Sequence, residues 1–232
     1  MTQEIDHEHA DVSGGWLRPA VFGAMDGLVT NIALIAGVGG AGVDRHFIVL
    51  TGVAGLVSGA ISMGLGEYTS VKASNEQVAA EVAKERKELA RNPGAEAQEL
   101  ADRWVERGLP PDLARQVANV LRENPDEALR VHVREELGVD PDSQPSPWLA
   151  AVSSFLCFSV GALIPLISYL FGGDSFWLAM GIGGLGLFAA GAVTARFTGR
   201  HWLLSGLRQL ALGFAAAGAT YLIGHLIGVN AA

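Results

Sequence analysis

The stretch FGAMDGLVTNIALIAGVGG, residues 22–40, decides what kind of protein this chain is. Its apolar composition is that of a membrane helix, yet it contains a carboxylate at Asp26. A charged side chain inside a bilayer costs about 2.5–3.5 kcal/mol even on the lenient insertion scale, and such residues commonly mark ion or proton paths. The stretch therefore predicts a membrane-spanning helix with Asp26 as a candidate functional residue.

Apolar segments of similar length recur along the rest of the chain. Each has about 20 residues or more, which at 1.5 Å per residue spans a hydrocarbon core of roughly 30 Å. We expect five transmembrane helices and no strands, hence an all-α, polytopic membrane protein. The predicted spans are Pro19–Gly40, Phe47 to about Tyr68, Trp148–Phe171, Phe176–Phe197 and Trp202–Val229.

Composition excludes several other classes of protein. Half of the residues are hydrophobic and 17% are charged, whereas a soluble domain is about one quarter charged. The net charge of −8 argues against a nucleic-acid partner, and the single cysteine, Cys157, cannot form an internal disulfide. Residues 1–15 form an acidic tail without the features of a signal peptide, and we expect this tail to be disordered.

The short loops predict the orientation in the membrane. Arg196, Arg200, His201 and Arg208 surround the turn after the fourth span, whereas the turn after the third contains Asp174 and no basic residue. The positive-inside rule places the basic turn in the cytoplasm. Counting back along the chain places the N-terminus and the long central segment in the cytoplasm as well.

The central segment is a charged helical insert between the second and third spans. Ser74 is a candidate N-cap for its first helix, which Asn92-Pro93-Gly94 should end, and three further helices follow. We therefore predict these domains: a tail at 1–15, membrane helices one and two at 16–71, a cytoplasmic helical domain at 72–147, and membrane helices three to five at 148–232.

Asp26 has two interpretations. It lies about seven residues into its segment, roughly 10 Å deep, so it is either an interfacial or capping carboxylate or an ion site facing the bundle interior. The second span offers partners, because Met63 and Glu67 are one helical turn apart. A site that combines a thioether with carboxylates would suit Fe²⁺ better than Mg²⁺ or Na⁺.

Carboxylates in the insert recur at helical spacing. Glu81, Glu85 and Glu88 share one helix face, and Glu96 and Glu99 share another. Further along, Glu135 and Glu136 lie one turn after His132. These residues are either a solvated helical surface or an oxygen-rich site for a divalent metal. In the tail, the run Asp6–His9 is a weaker metal-binding candidate.

Glycines in the spans predict close helix packing. Gly23 and Gly27, Gly55 and Gly59, and Gly224 and Gly228 all have small-residue spacing, which can bring helices together within a subunit or between subunits. The run GIGGLG at 181–186 matches a dinucleotide fingerprint, but it lies inside an apolar segment and we interpret it as packing too.

Three stretches together resemble a known family. FGAMDGLVTNIALIAGV, GLVSGAISMGLGEYTSV and GALIPLISYLF, in this order around an acidic helical insert, resemble the vacuolar iron transporter family. The resemblance covers nearly the whole chain from Trp16 onward. It implies a homodimer with five membrane helices per subunit, a pore lined by the first helices, and export of Fe²⁺ from the cytoplasm in exchange for protons.

The same resemblance implies roles for individual residues. The family's intramembrane aspartate and methionine map to Asp26 and Met63. This chain departs from the family pattern at His132 and Val133, where methionines can occur, and at Gly55, near which some relatives have a glutamate. The resemblance also implies that the insert at 72–147 is a cytoplasmic metal-binding domain, whose glutamates map to Glu85, Glu88, Glu96, Glu99 and Glu136.

The sequence thus predicts a transporter for Fe²⁺ and not an enzyme. Mn²⁺, Zn²⁺ and Co²⁺ are further candidate substrates, the bilayer and protons are partners, and an Arg-rich composition favours a bacterial plasma membrane over a vacuole. The alternative is a membrane-anchored metal sensor or binding protein that moves no metal. A membrane ferroxidase ranks third, because the insert lacks the Glu-x-x-His pattern of di-iron bundles.

Overall fold

The computed structural model describes residues 15–231, which contain eight α-helices and no strand. The all-α prediction is confirmed for these residues, and the candidate run Asp6–His9 lies outside them. The helices are α1 Leu17–Gly40, α2 Arg45–Arg91, α3 Pro93–Glu106, α4 Pro111–Arg122, α5 Pro125–Leu137, α6 Pro147–Leu170, α7 Phe176–Thr198 and α8 Trp202–Ala231.

Five of these helices, α1, α2, α6, α7 and α8, are long and apolar enough to cross a membrane, as predicted. Their outward surfaces are strongly apolar. Phe171, Trp177 and Leu185 are 88%, 80% and 72% exposed, and many other large apolar side chains share this exposure. A soluble monomer rarely presents such continuous apolar surface, whereas contact with lipid accounts for it.

The prediction of a new helix at Ser74 is wrong. Helix α2 runs without interruption through Ser74 for 47 residues and ends at Arg91, directly before Asn92-Pro93. The reason is local: residues 67–91 contain neither glycine nor proline, and a serine inside a helix costs only roughly half a kcal/mol. A possible cap therefore does not end a helix that nothing else interrupts.

The chain divides into two compact units. One consists of the part up to Ser70 together with the part from Ser146 onward, and the other is Val71–Pro145. Helix α2 contributes to both, and α3, α4 and α5 belong wholly to the second.

In the first unit, α1 is the central helix and packs against α6, α7 and α8. Its buried face includes Leu28, Ile32 and Ile35, and the amide of Asn31 donates a hydrogen bond of 2.5 Å to the Ala162 carbonyl oxygen. Glycine allows this approach: a Cβ at Gly27 would fall on the Phe158 carbonyl oxygen. The packing interpretation of the small-residue spacing is confirmed here.

In the second unit, prolines and alanines shape the helices. Pro93, Pro111 and Pro125 each occupy the first position of a helix, where the missing N–H costs nothing. Small side chains let α3 and α4 pack closely, with Trp104 and Leu109 at the edge. The alanines at this contact are Ala97, Ala101, Ala114 and Ala118.

Candidate metal centre

Three helices of the second unit bring together four side chains of the types that can bind a metal ion. Glu85 comes from α2, Glu96 from the first turn of α3, and His132 and Glu136 from one face of α5. One ligand atom from each lies within 4.8 Å of all the others. We call these four residues the metal cluster.

Helix starts determine which side chains α3 and α5 present. Helix α5 begins after Asn124, whose side-chain oxygen accepts a hydrogen bond from the Glu127 backbone N–H at 3.4 Å. Within this helix His132 and Glu136 are four residues apart and therefore share one face. Helix α3 begins at Pro93, directly after α2 ends, so Glu96 comes within reach of Glu85.

The distances inside the metal cluster fit one ion. His132 Nδ1 lies 3.2 Å from Glu85 Oε1, 3.6 Å from Glu136 Oε1 and 3.9 Å from Glu96 Oε2. A tetrahedral ion with bonds of about 2.1 Å separates its ligand atoms by about 3.4 Å. The four side chains therefore need only small shifts to bind a metal.

Three of the four ligand atoms are buried and lack hydrogen bonds. His132 is 2% exposed, and its Nδ1, Glu85 Oε1 and Glu136 Oε1 have no hydrogen-bond partner among the described residues, because the short distances lack hydrogen-bonding geometry. Buried polar atoms are nearly always satisfied, so a group of unsatisfied ones that face each other needs an explanation. A divalent cation would satisfy them all, and one nitrogen with three oxygens suits a borderline metal.

Burial and like charges shift the protonation of the carboxylates. Burial raises the pKa of Glu85 to about 7, with smaller contributions from the charges of Glu136, Glu96 and Glu99. Burial also raises the pKa of Glu96, and the neighbouring Glu99 adds to this. In the absence of metal, the cluster therefore retains a proton near neutral pH, and an incoming cation has to displace it.

The other predicted glutamates of the insert, Glu81, Glu88 and Glu99, lie outside the metal cluster. Together with Glu85, Glu96 and Glu136 they line one cavity of about 240 Å³. Each of the three has another partner. Glu81 pairs with Lys84 at 3.4 Å, Glu88 accepts a hydrogen bond from Asn92 at 3.3 Å, and Glu99 pairs with Arg103 at 3.0 Å. We interpret these three as an acidic surround of the cluster.

The contacts of two arginines, Arg103 in α3 and Arg107 directly after it, were not anticipated from the sequence. Arg103 Nη2 lies 3.5 Å from Glu136 Oε1, in addition to its contact with Glu99. Arg107 pairs with Glu135, which keeps that carboxylate out of the cluster. The spacing of Glu99 and Arg103 signals an ion pair within α3, but no pattern in the sequence signals the contact with α5.

Comparison with known proteins identifies the family of this chain. The model of the VIT family matches residues 17–225. The chain belongs to the VIT family. This confirms the resemblance that the membrane segments indicated.

Relatives of this VIT-family chain match it over nearly its whole length. Vacuolar iron transporter 1 of Tulipa gesneriana is 30% identical over 98% of the chain and 93% of its own length. Vacuolar iron transporter 1 of Arabidopsis thaliana is 31% identical over 96% and 91%, and the vacuolar iron transporter of Acanthamoeba castellanii is 35% identical over 95% and 82%. These relatives are named as transporters, which confirms the prediction of a multi-pass membrane protein that is not an enzyme.

The membrane residues singled out in this VIT-family chain lie on α1 and α2. Asp26 is half-buried, and the Thr30 hydroxyl donates to its Oδ1 at 3.5 Å. Met63 packs against the apolar group formed by Ala60, Phe158 and Ala162, and Glu67, also partly buried, follows one turn later. A shared site of Asp26, Met63 and Glu67 stays a prediction.

Proposed function

We propose that the chain is a transporter that moves Fe²⁺ out of the cytoplasm in exchange for protons, with the metal cluster as its capture site. The observation that carries the proposal is the convergence of Glu85, Glu96, His132 and Glu136 in a member of the VIT family. The buried and unsatisfied ligand atoms support it, since a solvated acidic surface would leave its carboxylates in water.

The proposed substrate follows from the relatives and from the ligands. The relatives are named iron transporters, and a site of one imidazole and three carboxylates accepts Fe²⁺. Mn²⁺, Zn²⁺ and Co²⁺ are accepted by the same ligands, with affinities that rise from Mn²⁺ through Fe²⁺ to Co²⁺. We propose these metals as secondary substrates.

The proposed orientation places the metal cluster in the cytoplasm. The basic residues between α7 and α8 support it, because they are expected on the cytoplasmic side. A contact in the first unit supports the order of the crossings, which puts the turn before α2 and the turn after α6 on one side: Arg45, at the start of α2, lies 3.5 Å from Asp174 in the α6–α7 turn and donates to the Tyr169 carbonyl oxygen at 2.6 Å. Five crossings with a cytoplasmic N-terminus place both of these turns on the opposite, non-cytoplasmic side.

The proposed membrane path uses two copies of α1. In a homodimer, Asp26 of each copy would face one water-accessible pore, with Met63 and Glu67 contributing to the path. Two facing carboxylates repel, so they share a proton until a cation displaces it, which couples metal to proton movement. We propose the plasma membrane of a bacterium as its location, because the chain is rich in arginine.

The capture role can be tested by Fe²⁺ uptake into proteoliposomes across a range of Fe²⁺ concentrations. Glu85→Ala/Glu96→Ala should raise the half-saturating concentration by about tenfold or more, because it removes two of the four ligands. Glu76→Ala/Glu123→Ala, which removes two exposed carboxylates away from the cavity, should match the wild type.

Either of two results would contradict the proposal. Folded wild-type protein that binds Fe²⁺ but moves none would be a sensor or a binding protein. Uptake by the Glu85→Ala/Glu96→Ala variant that saturates at the wild-type concentration would exclude the cluster as the capture site.

A further inference from the structure

We propose that Arg103 is a built-in counter-cation of the metal cluster, which weakens metal binding so that captured metal can be released. This inference rests on the proposed capture role of the cluster. It concerns a residue of α3 that is not itself a metal ligand.

The guanidinium of Arg103 lies next to one of the ligand oxygens, Glu136 Oε1. Arg103 Nη2 lies 3.5 Å from Glu136 Oε1, and the same oxygen lies 3.6 Å from His132 Nδ1. Arg103 and an incoming metal ion would therefore share one carboxylate oxygen of the cluster.

Arg103 is held in this place by its surroundings. Its side chain is 35% exposed, its Nη2 donates to Glu99 Oε1 at 3.0 Å, and its Nε is buried with no hydrogen-bond partner in residues 15–231. An arginine stays charged at every pH at which the protein is folded. The positive charge beside the cluster is therefore permanent, and it can be removed only by moving the side chain.

A fixed positive charge next to a divalent cation lowers the affinity of the site. The repulsion between the two destabilises the metal-bound state, and the attraction of Arg103 to Glu99 and Glu136 stabilises the metal-free state. Both effects favour the metal-free state. A site that must deliver its ion to a transport path needs this property, because very tight binding would make release slow.

Arg107, the residue directly after α3, provides a matched control. It follows Arg103 by one turn and pairs with Glu135, a carboxylate of α5 that is outside the cluster. Removing Arg107 likewise breaks an ion pair with α5, without changing the charge on a ligand oxygen.

The test is calorimetric titration of Co²⁺ into the full-length protein in detergent, with every variant made in an Asp26→Asn background. Arg103→Met keeps the apolar stem of the side chain and removes its charge. It should bind Co²⁺ about tenfold more tightly or more. Arg103→Lys should restore the lower affinity, and Arg107→Met should match the parent.

Unchanged or weaker Co²⁺ binding by folded Arg103→Met would overturn the inference, and so would tightening by Arg107→Met to the same extent. Arg103→Gln provides the same comparison if the methionine variant does not fold. Failure of the proposed function gives a different result: Glu85→Ala/Glu96→Ala would then bind Co²⁺ as the parent does.

Discussion

His132 contributes the only nitrogen ligand to the metal cluster, and its buried Nδ1 faces three carboxylates. Imidazole nitrogen favours Co²⁺ and Zn²⁺ over Mn²⁺ more strongly than carboxylate oxygen does. The residue should therefore influence which metals the protein prefers.

We predict that His132→Gln lowers the affinity for Co²⁺ and Zn²⁺ by about tenfold more than it lowers the affinity for Mn²⁺. Competition titrations with the full-length protein measure this, and His46→Gln, which changes an exposed histidine at the start of α2, serves as the control. An equal loss for all three metals would mean that His132 supports the site without binding the ion.

Glu85 makes the cluster sensitive to pH. Its pKa is raised from 4.5 to about 7, so between these values the folded protein holds a proton that the unfolded chain releases. The metal-free protein should therefore lose stability as pH rises from about 5 to about 8. Metal binding has the opposite dependence, because deprotonated Glu85 is the ligand, and its affinity should rise through pH 7.

Thermal unfolding across this pH range, with and without Co²⁺, measures both effects. Glu85→Gln should flatten the pH dependence of the metal-free protein, because an amide does not titrate. Stability of the metal-free wild type that increases with pH across this window would contradict the assignment of the shifted pKa to Glu85.

At the scale of the helix, glycines determine how closely α1 and α6 approach. A Cβ at Gly161 would fall on the Ala24 carbonyl oxygen, whereas one at Gly181 on α7 would meet no atom of the described part of the chain within 4 Å. The same substitution should therefore have opposite consequences at the two positions.

We predict that Gly161→Ala destabilises the protein by about 1–3 kcal/mol through overpacking. Gly181→Ala should be neutral or stabilising, because alanine favours the helix by about 1 kcal/mol. Thermal unfolding in detergent compares the two variants. Equal stability of both would show that α1 and α6 do not pack as closely as described.

The helices themselves could be predicted well, because their ends have local causes. Asn92-Pro93 and Asn124-Pro125 mark helix boundaries in the sequence and in the structure. The prediction of a helix start at Ser74 was wrong because a capping residue is only one of several signals of a helix start, and no helix breaker accompanies it. An asparagine followed by proline therefore predicted a helix boundary correctly, whereas a possible capping residue alone did not.

The metal cluster could be predicted only in part. His132 and Glu136 are four residues apart, so their shared face follows from helical periodicity. Their meeting with Glu85 and Glu96 depends on how three helices pack, which spacing within one helix does not reveal. The same limit explains why the contact of Arg103 with Glu136 was missed.

At the scale of the whole molecule, the two compact units separate two tasks. The unit Val71–Pro145 contains the four residues of the metal cluster, and the membrane helices contain Asp26. In our account the first task is capture of the metal and the second is its exchange for protons. The two tasks should be separable by mutation, because changes in the cluster alter the concentration dependence of transport whereas changes at Asp26 alter transport itself.

The measurement that tests this account most directly is Fe²⁺ uptake by proteoliposomes with an acidic lumen, for wild type, Asp26→Asn and the loop control Asp174→Asn. We predict uptake by the wild type and the control that depends on the pH gradient, and uptake by Asp26→Asn no faster than by protein-free vesicles. Uptake by Asp26→Asn at the wild-type rate, or wild-type uptake that does not depend on the pH gradient, would contradict the account.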